Sequence, residues 1–143
     1  MTREEIKSWL DEHNITNYII KDDLTVDVDT HIYLSNKDFI SIPVKFGHVS
    51  GDFNCYNNPK LTSLEHCPST VGRDFNCSNN PKLTSLEHCP STVGGDFYCS
   101  NNPKLDINDN RFIYIKGKFI CDEGFEKSKT YINYLVMKKM EQI

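Results

Sequence analysis

The residues of this chain best equipped for chemistry are its six cysteines and five histidines, and their spacing narrows what that chemistry is. Cys55, Cys77, Cys99 and Cys121 stand 22 residues apart, and so do Cys67 and Cys89. Glu65-His66-Cys67 returns as Glu87-His88-Cys89, so two His-Cys pairs could supply four zinc ligands if the chain brought them together. Zinc motifs usually place paired ligands two to four residues apart, and that spacing does not occur here. Neighbours on an extended segment face opposite sides, which directs Cys67 inward and His66 toward solvent. A catalytic Cys–His pair must be exposed, activated and oriented by a third group, and it ordinarily occurs once in a chain rather than once per repeat. Phosphate-binding Gly-rich loops, nucleophile elbows and H-E-x-x-H motifs are absent from the sequence. The expectation is a non-enzyme with inward-facing free thiols, no catalytic residue, no metal and no cofactor. Disulfides between copies are disfavoured, since parallel in-register strands rarely orient two Cβ atoms for a bridge.

The cysteine spacing is that of an internal repeat. Residues 50–71 and 72–93 are identical at 19 of 22 positions, and a third copy runs from Gly94 to Leu105. Gly117-Lys118-Phe119-Ile120-Cys121 is a degenerate fourth, and Ile32-Tyr33-Leu34-Ser35-Asn36 with Phe39 and Ile42 a divergent first. About five rungs thus cover 28–122. In each copy Phe and Cys alternate with polar residues across Asp-Phe-Asn-Cys, the period of a short half-buried strand. Asn-Asn-Pro turns the chain, and Leu61, Leu64, Cys67 and Val71 point inward along the return. One such strand per copy stacks in parallel on its neighbours, and no copy can bury its inner face alone.

The pattern Phe-x-Cys-x-x-Asn-x-x-Leu-x-x-Leu resembles the leucine-rich repeat family. Phe53, Phe75 and Phe97 take the second consensus leucine position, Cys55, Cys77 and Cys99 the third, and Asn58, Asn80 and Asn102 the ladder asparagine. An extra residue between Asn and Leu, and Gly or Ser at the first leucine position, depart from that pattern. The wording G-D-F-x-C-S-x-N with L-T-S-L-E-x-C-P is similar to short repeat proteins of bacteria, tailed phages and large viruses. The resemblance implies an α/β, leucine-rich-repeat-like solenoid with a parallel sheet of about five short strands. It also implies a protein-binding module, and the phage likeness an inhibitor that docks on and blocks a host defence protein in the host cytoplasm. Two other readings are a zinc-binding repeat protein built on the His-Cys pairs and a structural repeat segment of a larger assembly.

The ends read as caps within a single domain: residues 1–27 before the solenoid (28–122) and 123–143 after it. Thr2-x-x-Glu5 is a capping box, with Ile6, Trp9 and Leu10 on one helical face. Tyr18-Ile19-Ile20 and Leu24-Thr25-Val26 form a hairpin about Lys21-Asp22-Asp23. Residues 111–121 are either the last rung or a hairpin about Lys116-Gly117. A C-terminal helix over about 124–140 carries Ile132, Leu135, Val136 and Met140 at helical spacing.

With 16 basic and 20 acidic residues, the net charge is −4. That disfavours nonspecific nucleic-acid binding and a polybasic membrane anchor. The first fourteen residues hold four acids and no apolar run, so they do not read as a secretory signal, and a cytoplasmic location is expected. Another protein is the expected partner, with the chain itself a monomer or homodimer. Contacts belong on outward strand residues: Asp52, Asn54 and Tyr56, then Asp74 and Asn76, then Asp96 and Tyr98, then Lys118 and Ile120, with Arg73 flanking. The two near-identical copies differ only as Ser50/Gly72, Gly51/Arg73 and Tyr56/Ser78, all beside that face. Tyr and Arg are the types enriched at interface hot spots, which puts Tyr56, Arg73 and Tyr98 first.

Overall fold

A computed structural model describes residues 1–142. Ile143, the end of the expected C-terminal cap, lies outside the described residues. The chain is a solenoid of parallel strands between an N-terminal helix, α1 (Arg3–Glu12), and a C-terminal helix, α2 (Lys129–Glu141). The expected five-stranded parallel sheet is present: β3 (Ile32–Tyr33), β5 (Phe53–Asn54), β7 (Phe75–Asn76), β9 (Phe97–Cys99) and β11 (Phe119–Cys121).

Each copy also contributes a strand to another sheet, which the alternation argument missed. That first sheet runs through β1 (Tyr18–Ile20), β2 (Val26–Val28), β4 (Phe46–Val49), β6 (Thr70–Val71), β8 (Thr92–Val93) and β10 (Tyr114–Ile115). Among the described residues only β1 is antiparallel to its neighbour. The Thr-Val pair that ends both central copies is the source, matched by His48-Val49 and Tyr114-Ile115 on either side: β-branched residues favour the pleated conformation. Thr70 pairs with Thr92 and Phe75 with Phe97, so the 22-residue repeat is also the structural register. At the front Ile32 pairs with Phe53, a 21-residue step, because the first copy is one residue shorter between its strand and its return.

Between strands the return path turns at left-handed residues. Asn57, Asn79 and Asn101 have φ of 57–58°, and His66 and His88 φ of 76° and 71°. Asparagine tolerates that region better than most residues because its short polar side chain bonds locally. Gly72 and Gly94 answer to close approach instead. A Cβ on Gly94 would sit 2.2 Å from the Gly72 carbonyl oxygen, and one on Gly72 2.1 Å from that of Ser50. Lys116 holds the equivalent position in the last rung. Gly94→Val is expected to cost about 2 kcal/mol, as overpacking in a close-packed interior does; a chemical denaturation midpoint matching wild type would refute this.

The core is an aromatic column. Phe53, Phe75, Phe97 and Phe119 stack with centroid separations of 5.9, 5.0 and 5.0 Å. Phe46 extends it to Trp9 of α1 at the front, and Tyr131 and Tyr134 of α2 close it behind, each 5.5 Å from Phe119. Leu61, Leu64, Leu83 and Leu86 are fully buried beside the column.

The front cap follows expectation, with one shift. The Thr2 hydroxyl accepts from Glu5 N–H, and Thr2 N–H donates to the Glu5 carboxylate, completing the capping box. The hairpin's second strand starts at Val26, not Leu24, because Leu24 is left-handed (φ 68°) and closes the turn onto Lys21 O. Residues 111–121 form the last rung, with β10 and β11 in separate sheets, and no hairpin.

At the back, a 3-10 turn (Phe125–Lys127) precedes α2, which starts at Lys129 with Ser128 as its N-cap. The helix is locked to the last rung by Asp109. Arg111 Nε donates to both Asp109 oxygens at 2.9 Å, and the Thr130 hydroxyl donates to the same carboxylate. Tyr134 Oη donates to Gly117 O (2.9 Å) and Lys138 Nζ to Lys116 O (2.5 Å), covering carbonyls of the end rung. The residues that pack are therefore Thr130, Tyr131, Tyr134 and Lys138. Ile132, Leu135, Val136 and Met140, whose spacing suggested an inward face, point away. Among the described residues no helix is long and apolar enough to cross a membrane.

Candidate functional site

Two polar ladders hold the rungs in register, and they decide which side chains are left for binding. Asn58, Asn80 and Asn102 are buried. The Asn80 amide donates to Cys77 O (2.8 Å) and Cys55 O (3.2 Å), and its Oδ1 accepts from Asn58 N–H at 2.7 Å. Asn102 repeats this one rung on, donating to Cys99 O and Cys77 O and accepting from Asn80 N–H. The ladder ends on Asp122, whose two oxygens accept from Asn101 and Asn102 N–H. A carboxylate suits that last position because it faces only donors.

The aspartates form the other ladder. Asp52 Oδ1 accepts from Asp74 N–H (2.9 Å), Asp74 from Asp96 N–H (2.8 Å) and Asp96 from Lys118 N–H (2.8 Å). At the front His31 Nδ1 takes the aspartate's place, accepting from Asp52 N–H. These bonds reach across rungs to the next backbone. The bond from Lys118 N–H holds the Asp96 carboxyl below its usual range, helped by Tyr98 Oη and the Lys118 charge. Each bridging bond offsets the repulsion between stacked carboxylates, about a few tenths of a kcal/mol per pair.

The outward residues of the second sheet stand in register as Tyr33, Asn54, Asn76, Tyr98 and Ile120. At about 4.8 Å per strand the row spans roughly 19 Å. Asn54 and Asn76 fold their Oδ1 back onto the backbone N–H two residues on, which leaves their NH₂ groups outward. Tyr98 Oη donates to Asp96 Oδ2 at 3.0 Å, standing its ring on the face. Asp52, Asp74 and Asp96 flank the row on one side, with Lys118 at the far end of theirs. Tyr56 lies two residues beyond Asn54, and its hydroxyl accepts from Asn79 Nδ2 at 2.7 Å. Arg73 is exposed on the corner between the two sheets rather than on a strand. The structure thus gathers nine of the ten expected residues along one sheet and sets Arg73 at its border.

Tyr33 belongs to this row and was missed. It is 57% exposed, the barest member, and stacks on His31 at 5.7 Å. The same alternation that chose Asn54 selects it once Ile32 is aligned with Phe53.

The thiols lie in the core or against it. All six are free, and Cys55, Cys67, Cys77 and Cys99 are buried. Burial pushes the thiols of Cys67, Cys77 and Cys99 well above their ordinary range, and that of Cys89 to about 12. Native protein is expected to react with a thiol reagent at pH 8 far more slowly than denatured protein, which should titrate six groups. Because those pKa values are raised in the folded state, stability should decline as pH climbs above about 8.5, where unfolded thiols ionise. Rapid labelling of three or more thiols in the native state would contradict this. Among the described residues no group of three or more His, Cys, Asp and Glu side chains converges as metal ligands would. His66 Nδ1 is engaged with Ile42 O instead.

A cleft of ≈ 580 Å³ lies beside the Asn-Asn-Pro turns near the C-terminal end of the solenoid, lined by Pro81, Pro103, Leu105, Ile107 and Phe125. Its carboxylate, Asp122, is the one that accepts the Asn101 and Asn102 N–H groups. Comparison with protein-family models, curated proteins and solved structures returned no match.

Proposed function

We propose that this chain is a non-catalytic binding module of the leucine-rich-repeat kind that docks another protein on the outward face of its second sheet. The observation that carries this reading is where the copies vary. Every core hydrophobic and every ladder residue is the same in the two central copies, while the differences fall at the rung corner and at Tyr56/Ser78, beside the face. The backbone beneath is fixed by both ladders, so the face is a rigid, pre-organised platform, and rigidity reduces the entropy cost of docking. It offers aromatic rings at Tyr33 and Tyr98, amide donors at Asn54 and Asn76, and carboxylates at Asp52, Asp74 and Asp96. This suits a partner with basic and polar groups and opposes a nucleic-acid backbone. With loops on either side it is large enough for a standard interface of about 800 Å² per partner.

In this reading the partner is a bacterial host protein and the module blocks it, following the likeness to phage repeat proteins. Affinity capture from bacterial extract tests it, using wild type and the variant Tyr33→Ala, Tyr98→Ala, Ile120→Lys as baits, three outward positions that carry no ladder bond. The wild type is expected to retain one protein that the variant loses, with melting temperatures within a few degrees. Equal retention by both baits, or none by either, would count against the reading.

A further inference from the structure

Helix α2 faces its apolar side to solvent. Tyr131, Tyr134 and Lys138 lie against the end rung, and Ile132, Leu135, Val136 and Met140 recur at i, i+3, i+4 and i+8 on the other side. These four are 47%, 44%, 51% and 65% exposed. Asn133 Nδ2 donates to Arg111 O at 3.1 Å, so the next residue, Phe112, 72% exposed, leaves the rung beside the helix.

We propose that this face is a homodimer interface, with two copies pairing their α2 helices about a twofold axis. The five side chains leave on the order of 500 Å² of apolar surface bare, as much as the largest patch on an ordinary monomer. That is more than half of the roughly 800 Å² each partner gives to a standard interface. An isologous contact sets the same patch against itself, so an apolar stripe is its own complement and needs no opposite charge. From Ile132 to Met140 the stripe carries one charge, Lys139, whose methylene stem can lie along apolar neighbours with its ammonium at the rim. Antiparallel pairing also opposes the two helix dipoles. The contact lies at the end of the solenoid and leaves the second sheet's outward face open on each copy, so it stands independently of the docking reading.

The test is the mass of the full chain in solution, by light scattering and sedimentation across a wide concentration range. Wild type is expected at twice the 16.5 kDa of one chain, with Leu135→Glu plus Val136→Glu reducing it to one chain's mass. Both positions are outward, so the variant should keep its circular dichroism spectrum and melting transition. Met140→Glu alone should raise the dissociation constant at least tenfold. Ile19→Glu, at the exposed opposite end, should leave the dimer intact. A wild type that stays monomeric at every concentration overturns the proposal, as does a dimer that survives the double substitution.

Discussion

Asn80→Ala is expected to lower the unfolding free energy by about 3–5 kcal/mol, read from chemical denaturation. The substitution removes three hydrogen bonds at a fully buried site. Asn58 N–H loses the Asn80 Oδ1 acceptor, and an orphaned buried donor costs about 1–3 kcal/mol. Cys55 O and Cys77 O each keep a second amide, from Asn58 and Asn102, so those losses fall at the smaller value of about 0.5–1.5 kcal/mol each. The void left by the amide adds the rest. Asn80→Asp separates hydrogen bonding from shape. Its carboxylate keeps the acceptor but turns an oxygen toward two carbonyls, which raises its folded-state pKa. The deficit should therefore be smallest in acid, where the protonated form still donates once, and grow as pH rises through that raised value. A flat pH profile for Asn80→Asp would show that the site is read by shape alone.

Phe75→Ala should be as damaging, at about 3–5 kcal/mol, the usual cost of emptying a buried phenylalanine site. Phe75 stands mid-column between Phe53 and Phe97, with no solvent exposure, so neither neighbour can collapse into the gap without breaking strand register on both sides. The same change at Phe119 should cost less, since that ring meets the cap, where α2 can shift. Phe75→Leu should lose about 1–2 kcal/mol, retaining most of the volume. In each case the measurement is the denaturation midpoint with the slope checked for constancy. If Phe119→Ala proved the more destabilising, the column would not be the main source of cohesion.

Much of this arrangement was legible because the repeat writes each inward residue several times. Phe at 53, 75 and 97, the thiols and the ladder asparagines all fell where alternation and spacing put them. The first sheet was missed because Thr-Val is only two residues long, and a period of two cannot be recognised in one step. Asp52, Asp74 and Asp96 were placed on the outward face, but the N–H each one accepts from lies a full rung away, which alternation along one strand does not reveal. Helix α2 misled for another reason. Periodicity marks an apolar face and says nothing of what covers it. Here the cap packs through tyrosine rings, a threonine and a lysine stem that hydropathy scales rank as polar. Tyr33 was obscured by the one-residue shortening of the first copy.

The central claim is that the outward face of the second sheet meets a partner and the face of the first does not. Site-specific photo-crosslinking tests it most directly, with a photoreactive phenylalanine analogue at Asn76 in one protein and at Thr92 in another. Both positions are on strands, and neither contributes to the buried core. The expected result, in bacterial extract, is a single crosslinked protein from position 76 that is absent from position 92. Crosslinking from position 92 alone, or from both to the same protein, would place the contact elsewhere and contradict the account.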